Sequence, residues 1–289
     1  MGKLSGRAYG IVLVTAATVF WSTGGLFVRV LDLDVWTMLA WRSLFAALSL
    51  LFVVVIPNGR NAARTFRAMG GPGLAAIPIS AISMFSYVAA LKLTTVANVM
   101  TVYATVPFVA AGIAFLWIGE RVERRVLIAS GIALLGVVVM AGAATRPQDL
   151  AGNGLALLMT ATFGIVLVLA RRYPLIAMAP VNAIAAGLCA LACWPLMAGA
   201  IPTPSQLLIL ALFGITTTSL SYLLFLTGGR HIPSSEAGLI AMLEVVLGPL
   251  WVWLVFSEQP GKAALIGGGL VLAAVIWYLA GGLRQAKLR

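Results

Sequence analysis

Charge is what this chain has least of. Only 9% of its 289 residues are charged, and Asp and Glu together number 8. So few ionic groups exclude a water-soluble domain of this length. Histidine occurs once, at His231, and cysteine twice, at Cys189 and Cys193. These three residues do not make up the usual ligand set of a zinc centre, nor can they build a disulfide framework. The two cysteines stand four apart within an apolar run, share a helical face and read as packing residues. No H-E-x-x-H or G-x-S-x-G occurs. Ser130, in Ala129-Ser130-Gly131, faintly resembles an intramembrane serine protease motif, but Ile128 stands where such motifs require glycine. No glycine-rich phosphate loop opens a helix, which argues against an ATPase in this chain. The expectation is a protein that is not an enzyme, with no cofactor and no metal.

What the chain has is hydrocarbon. Hydrophobic residues make up 62% of it, and its mean hydropathy is +1.06. Ten apolar runs lie at 8–30, 34–56, 73–92, 95–118, 126–143, 152–170, 178–199, 205–227, 235–257 and 262–282. Each approaches the roughly 20 residues that cross a hydrocarbon core. Lipid offers no partner to a free backbone N–H, so all ten are expected to be α-helices. Pro57-Asn58-Gly59 breaks the longest connection. Pro147 and Gly152 bracket the middle one, which divides the chain into residues 1–147 and 148–289.

The net charge of +11 could point to nucleic acid. The basic residues, however, sit in short clusters between apolar runs, a topology signal and not a nucleic-acid stripe. With the N-terminus placed in the cytoplasm, 14 of the 19 basic residues fall on that side. Lys92, Arg146 and Lys262 fall on the other side, with Arg29 at its edge. This predicts a multi-pass protein of a bacterial inner membrane with both termini cytoplasmic. The first run is too long for a cleavable signal peptide and lacks a small-residue cleavage site.

The sequence also repeats itself. Ser86, Tyr87 and Leu91 match Ser221, Tyr222 and Leu226 at an offset of 135. The offset then becomes 138 for Leu116/Leu254, Glu120/Glu258, Ile128/Ile266, Gly131/Gly269, Leu134/Leu272 and Val137/Val275. Five helices per copy is an odd number, so the second copy must enter from the opposite side. The predicted fold is an all-α integral membrane protein: ten transmembrane helices, as two inverted five-helix repeats around a central cavity. Such plans hold a substrate near the midplane.

Polar residues mark the candidate site. Ser80, Ser83 and Tyr87 share one helical face, as do Asn98, Thr101 and Thr105. Ser22 follows Trp21, and Ser221-Tyr222 closes a run of threonines. Hydroxyls in membrane helices often only bond the preceding turn's carbonyl; clustering on four helices favours cavity lining. Trp21, Trp41, Tyr87, Tyr103, Phe163 and Tyr222 are expected to face the centre as aromatic walls. Trp36, Trp117, Trp194 and Trp277 lie near run ends and read as interfacial belt residues. Glu244 and Arg42 are the candidate coupling or charge sites. Glu244 is either a proton or substrate-amine site or a neutral acid capping a broken helix. Arg42 either holds a substrate carboxylate or snorkels to the external surface, and snorkelling is the favoured reading. His231 and Glu236 lie at a cytoplasmic mouth. Pro107 and Pro249 are expected to kink their helices. The last helix of each half is rich in small residues. These two helices are expected to buttress the cavity or mediate dimer contacts.

Trp21-Ser22, the run through Pro107 to Gly119-Glu120, Leu243-Glu244, and Phe256-Ser257-Glu258 before a small-residue helix carry a family resemblance. The chain resembles the drug/metabolite transporter superfamily and its ten-helix EamA-type exporters. It departs from their Leu-Glu-Pro pattern, because Val245 stands in the proline's place and Pro249 follows four residues later. The resemblance implies outward transport of amino acids and related metabolites by alternating access through a cavity of helices 1–4 and 6–9, and aromatic and other neutral amino acids are the expected substrates. It implies as partners a small-molecule substrate and the lipid bilayer, in a monomer or weak homodimer. Export of a purine, sugar or quaternary amine is the alternative, and a channel or an intramembrane enzyme relying on His231 are more distant ones.

Overall fold

The computed structural model describes residues 6–119, 124–142, 147–199, 201–232, 237 and 240–287. Among these residues every regular element is helical. We label the helices α1 (Gly6–Val30), α2 (Val35–Asn58), α3 (Gly70–Leu93), α4 (Val96–Ile118), α5 (Arg124–Gly142), α6 (Pro147–Arg172), α7 (Met178–Leu196), α8 (Pro204–Gly229), α9 (Leu243–Phe256) and α10 (Lys262–Lys287). Seven of them, α1–α4 and α6–α8, are long and apolar enough to cross a membrane; α5, α9 and α10 carry shorter apolar stretches. Their outer faces are greasy: Leu116 is 83% exposed, Leu191 74% and Leu134 64%. Water would not tolerate such a surface, whereas hydrocarbon is its natural solvent. The chain is a multi-pass membrane protein.

Local chemistry sets the helix ends. The Asp34 carboxylate accepts from the backbone N–H groups of Trp36 and Thr37 and starts α2. Partial burial would raise the Asp34 pKa, but these hydrogen bonds outweigh it and hold the carboxyl below its ordinary range. Thr95 caps α4 in the same way, and Thr203 forms a capping box with Gln206 at the start of α8. The connection after α2 was expected to be only a breaker. It contains a short exposed helix, Ala62–Arg67. Pro147, expected to bracket the middle connection, lies within the described part of α6.

The internal offset reappears in the boundaries. α4 ends at Ile118 on the left-handed Gly119, and α9 ends at Phe256 on the left-handed Ser257, both 138 residues on. Glu120, the counterpart of Glu258, lies outside the described residues, as do Arg121, Arg146 and Glu236. The packing repeats as well. α3 packs on α6 as α8 does on α1, α3 on α7 as α8 on α2, and α4 on α6 as α9 on α1. The pairs α2–α7, α4–α9 and α5–α10 map onto themselves. One asymmetry stands out among the described residues: α10 leans on the first half of α4, whereas α5 and α9 make no comparable contact. Small residues close the α5–α10 seam, where a methyl group on Gly136 would stand 2.5 Å from the Gly267 carbonyl. That face is therefore used within the chain.

Candidate functional site

Four helices lose regularity part-way along. α1 breaks at Thr23, between Ser22 and Gly24. α4 breaks at Ala104–Thr105, just before Pro107, which has no N–H to give to the Tyr103 carbonyl. α8 widens into a π-helix over Ile215–Leu220, a local form that often marks functional segments. α9 starts at Leu243 after a turn at Met242, which puts Glu244 in its first turn.

Charged and aromatic side chains gather where these breaks meet. The Tyr87 hydroxyl packs directly on the Gly24 backbone, where a Cβ would stand 2.3 Å from it. Tyr87 lies within electrostatic range of both Glu244 and Arg42, and Tyr103 within range of Glu244 and Tyr87. Arg42 is 6% exposed and Glu244 7%. The Arg42 guanidinium donates to the Thr218 Oγ1 at 3.4 Å and lies 4.5 Å from the centre of the Phe213 ring. Phe213 in turn stacks on Phe27 at 5.1 Å. At the helical rise, Arg42 lies about 12 Å below the Asp34 end and Glu244 about 20 Å below the Ser257 end. Both depths are near the middle of a roughly 30 Å core.

The expectation that Arg42 snorkels to the surface is therefore overturned: its head group is buried and engaged by α8. Of the other candidates, Tyr87 and Tyr103 join this cluster. Phe163 supports Tyr103 at a ring distance of 5.9 Å, and Trp21 pairs with Phe225 at 5.1 Å. Ser22 bonds the Val19 carbonyl at 2.7 Å and accepts from the Trp251 indole at 2.8 Å. Trp251 is a contact that sequence reasoning missed; nothing set it apart from the other apolar residues of its run. Thr101 and Ser221 spend their hydroxyls on their own helices, on Ala97 and Thr216. Ser83 bonds the Met159 carbonyl of α6. Tyr222 is half-buried. Thr101 lines an apolar cleft of about 330 Å³ between α4, α9 and α10, together with Pro249, Trp253 and Gly268.

Asn98 belongs to a different feature, a knot of polar contacts at one end of the bundle. Glu258 accepts from Arg29 at 2.6 Å and from the Val96 backbone N–H at 3.2 Å. Arg29 also donates to the Leu91 carbonyl at 2.6 Å and the Thr94 carbonyl at 2.8 Å. Lys92 donates to the Leu31 carbonyl, Asn98 to the Thr94 hydroxyl, and that hydroxyl to Asp149. Gly152 lets α6 approach this knot, since a Cβ there would meet Thr94 at 2.8 Å. Together these bonds tie the ends of α1, α3, α6 and α9 to the start of α4. At the opposite end His231 packs edge-on to Tyr9 at 5.5 Å. The bundle thus holds a buried cluster of charged and aromatic side chains and, apart from it, a polar knot at one end.

Comparison with known proteins agrees. The chain is similar to an uncharacterized transporter of Archaeoglobus fulgidus, 27% identical over 273 residues, which span 93% of this chain and 95% of that protein. Its fold is similar to a solved structure titled only as the crystal structure of a protein, with a TM-score of 0.68 and 18% identity. That likeness covers 96% of this chain and 98% of the other. The EamA-like transporter family matches twice, over residues 8–142 and 150–280. The chain belongs to the EamA-like transporter family and is a multi-pass membrane transporter of a small molecule.

Proposed function

We propose that the protein is a secondary exporter of amino acids, aromatic and other neutral ones, working by alternating access between two inverted halves. The observation that carries this reading is the mid-depth cluster of Arg42, Tyr87, Tyr103 and Glu244. It offers aromatic faces to an apolar side chain and buried opposite charges to a zwitterion. The twofold family match, the 138-residue spacing of helix ends and the paired packing support two halves of one plan. The α5–α10 seam and the self-mapping α2–α7 and α4–α9 pairs support a pseudo-twofold axis. The polar knot around Glu258 supports a closed external end.

The substrate class comes from the resemblance in length and layout to the aromatic amino-acid exporter YddG. Trp21, Ser22 and Phe163 flank the cluster; Asn98, Thr101, Ser221 and Tyr222 shape its surroundings. Glu244 is the proposed coupling group, since a carboxyl at that depth is stable either neutral or partnered. The test is counterflow in proteoliposomes with labelled amino acids, purines, sugars and quaternary amines, with and without a proton gradient. Saturable exchange of an aromatic amino acid, accelerated by unlabelled substrate on the far side, is the expected result. Exchange of only another class, or unsaturable conductance, would overturn the reading.

A further inference from the structure

Arg42 is a cation with too few partners. It is only 6% exposed, yet its one hydrogen bond among the described residues is a long one, 3.4 Å to Thr218. Its Nε is fully buried with no partner. Its electrostatic neighbours are the Tyr87 phenol and the Cys189 thiol, not a carboxylate. No ion pair joins it to Glu244 or to any other acid among the described residues. A guanidinium stays charged under any physiological condition and presents five donors in a planar fork. Burial without an anion leaves it under-satisfied, and the shape of the fork matches a carboxylate held by two bonds.

The surroundings limit what that anion can be. Among the described residues Arg42 is the one basic side chain at this depth. Arg29 and Lys92 are tied into the knot at the bundle end. One cation balances one negative charge. A second negative charge would be left buried without a partner, so a phosphate dianion or a dicarboxylate fits poorly. The far side of Arg42 is fixed by the Phe213 ring and by the π-helical turn that holds Thr218. The fork is thus held from α8, and its unpartnered Nε side is left for a ligand.

We propose that Arg42 reads the carboxylate of the substrate, so that transport selects molecules carrying one monoanionic carboxylate and rejects the matching amine. This rests on the transporter reading above and narrows it: the side chain is read by aromatic faces, and the acid group by Arg42. Arg42 also acts as a positioning residue for α8, because the same guanidinium holds the π-helical turn.

The test is a cycle of ligand and protein changes on the full chain in lipid nanodiscs. Phenylalanine, phenethylamine and 3-phenylpropionate are measured against wild type, Arg42→Gln and Arg42→Lys. Wild type is expected to bind phenylalanine at least about tenfold tighter than phenethylamine, the usual worth of a charge-assisted pair. In Arg42→Gln that preference is expected to vanish, the two ligands binding alike, while Arg42→Lys keeps part of it. A purely structural Arg42 would weaken both ligands equally and leave their ratio unchanged, which would overturn the proposal. Should Arg42→Gln fail to fold, the ratio in Arg42→Lys decides in the same way. If 3-phenylpropionate binds through Arg42 but no amino acid does, the amino-acid reading fails and the carboxylate reading stands. If amino acids are exchanged equally well by wild type and Arg42→Gln, the reverse holds. If no carboxylate binds wild type, the proposal is overturned.

Discussion

Gly24→Ala is the sharpest test of how the mid-depth cluster is packed. Gly24 opens the second segment of α1, and the added methyl would stand 2.3 Å from the Tyr87 hydroxyl oxygen and 3.2 Å from Cζ. Ordinary contact begins near 3.5 Å, so Tyr87 must retreat by about 1 Å. Overpacking of that kind costs about 1–3 kcal/mol. Alanine's helix propensity returns up to about 1 kcal/mol, which at full return leaves a net loss of roughly 0–2 kcal/mol. In a Tyr87→Phe background the clashing oxygen is gone, and the next atom, Cζ, is short of contact by only a few tenths of an ångström. There the methyl should be nearly neutral. The coupling between the two sites should therefore reach about 1 kcal/mol or more, fivefold or above in a binding constant. The assay is substrate affinity and thermal midpoint for wild type, the two single variants and the double variant in nanodiscs. If Gly24→Ala costs the same with Phe at position 87 as with Tyr, the two groups do not touch and the reasoning fails.

Other expectations follow from named contacts. Glu258→Gln removes the charge that holds Arg29 and weakens the knot. Because both side chains are about one-fifth exposed, the effect should be a modest opening. An impermeant thiol reagent applied outside should label Asn98→Cys faster in that background, with Cys189 and Cys193 replaced; an unchanged rate would mean that the knot is not a closure. Glu244→Gln should retain counterflow but lose acceleration by a pH gradient, and full retention of that acceleration would remove Glu244 from coupling. Asp34→Ala should cost about 1 kcal/mol at neutral pH through the lost cap. The Asp34 pKa is lower folded than unfolded. Its stabilisation is therefore fully present above the unfolded carboxylate value and fades as pH falls through the lower folded one. The gap between wild type and Asp34→Ala in thermal midpoint should then narrow on acidification, and a gap that widens would contradict the cap.

Much of this architecture can be read in the chain because the lipid solvent leaves few choices. Among the described residues the apolar runs are helical, seven of them long enough to cross a membrane, and starts such as Asp34, Thr95 and Thr203 carry their own caps. The repeat is legible because its offset survives in the pair Gly119 and Ser257, two left-handed ends of unlike residue type. Where sequence reasoning stops is at contacts made by distant residues. Arg29 and Glu258 are 229 residues apart, as are Ser22 and Trp251, and no local pattern joins them. Arg42 looked free to snorkel because nothing in α2 shows that α8 supplies Phe213 and Thr218. Thr101 and Ser221 illustrate the converse: a polar face on a helical wheel cannot tell a hydroxyl aimed at a ligand from one returned to its own backbone.

The two halves stand or fall on orientation. A single cysteine placed at Gln259, in the turn between α9 and α10, and another at Tyr173, after α6, can be labelled in intact cells with an impermeant maleimide. Gln259→Cys is expected to react from outside, and Tyr173→Cys only after the membrane is opened. Protection of Gln259→Cys in intact cells, with reaction only on permeabilisation, would put that turn in the cytoplasm and contradict an inverted second half.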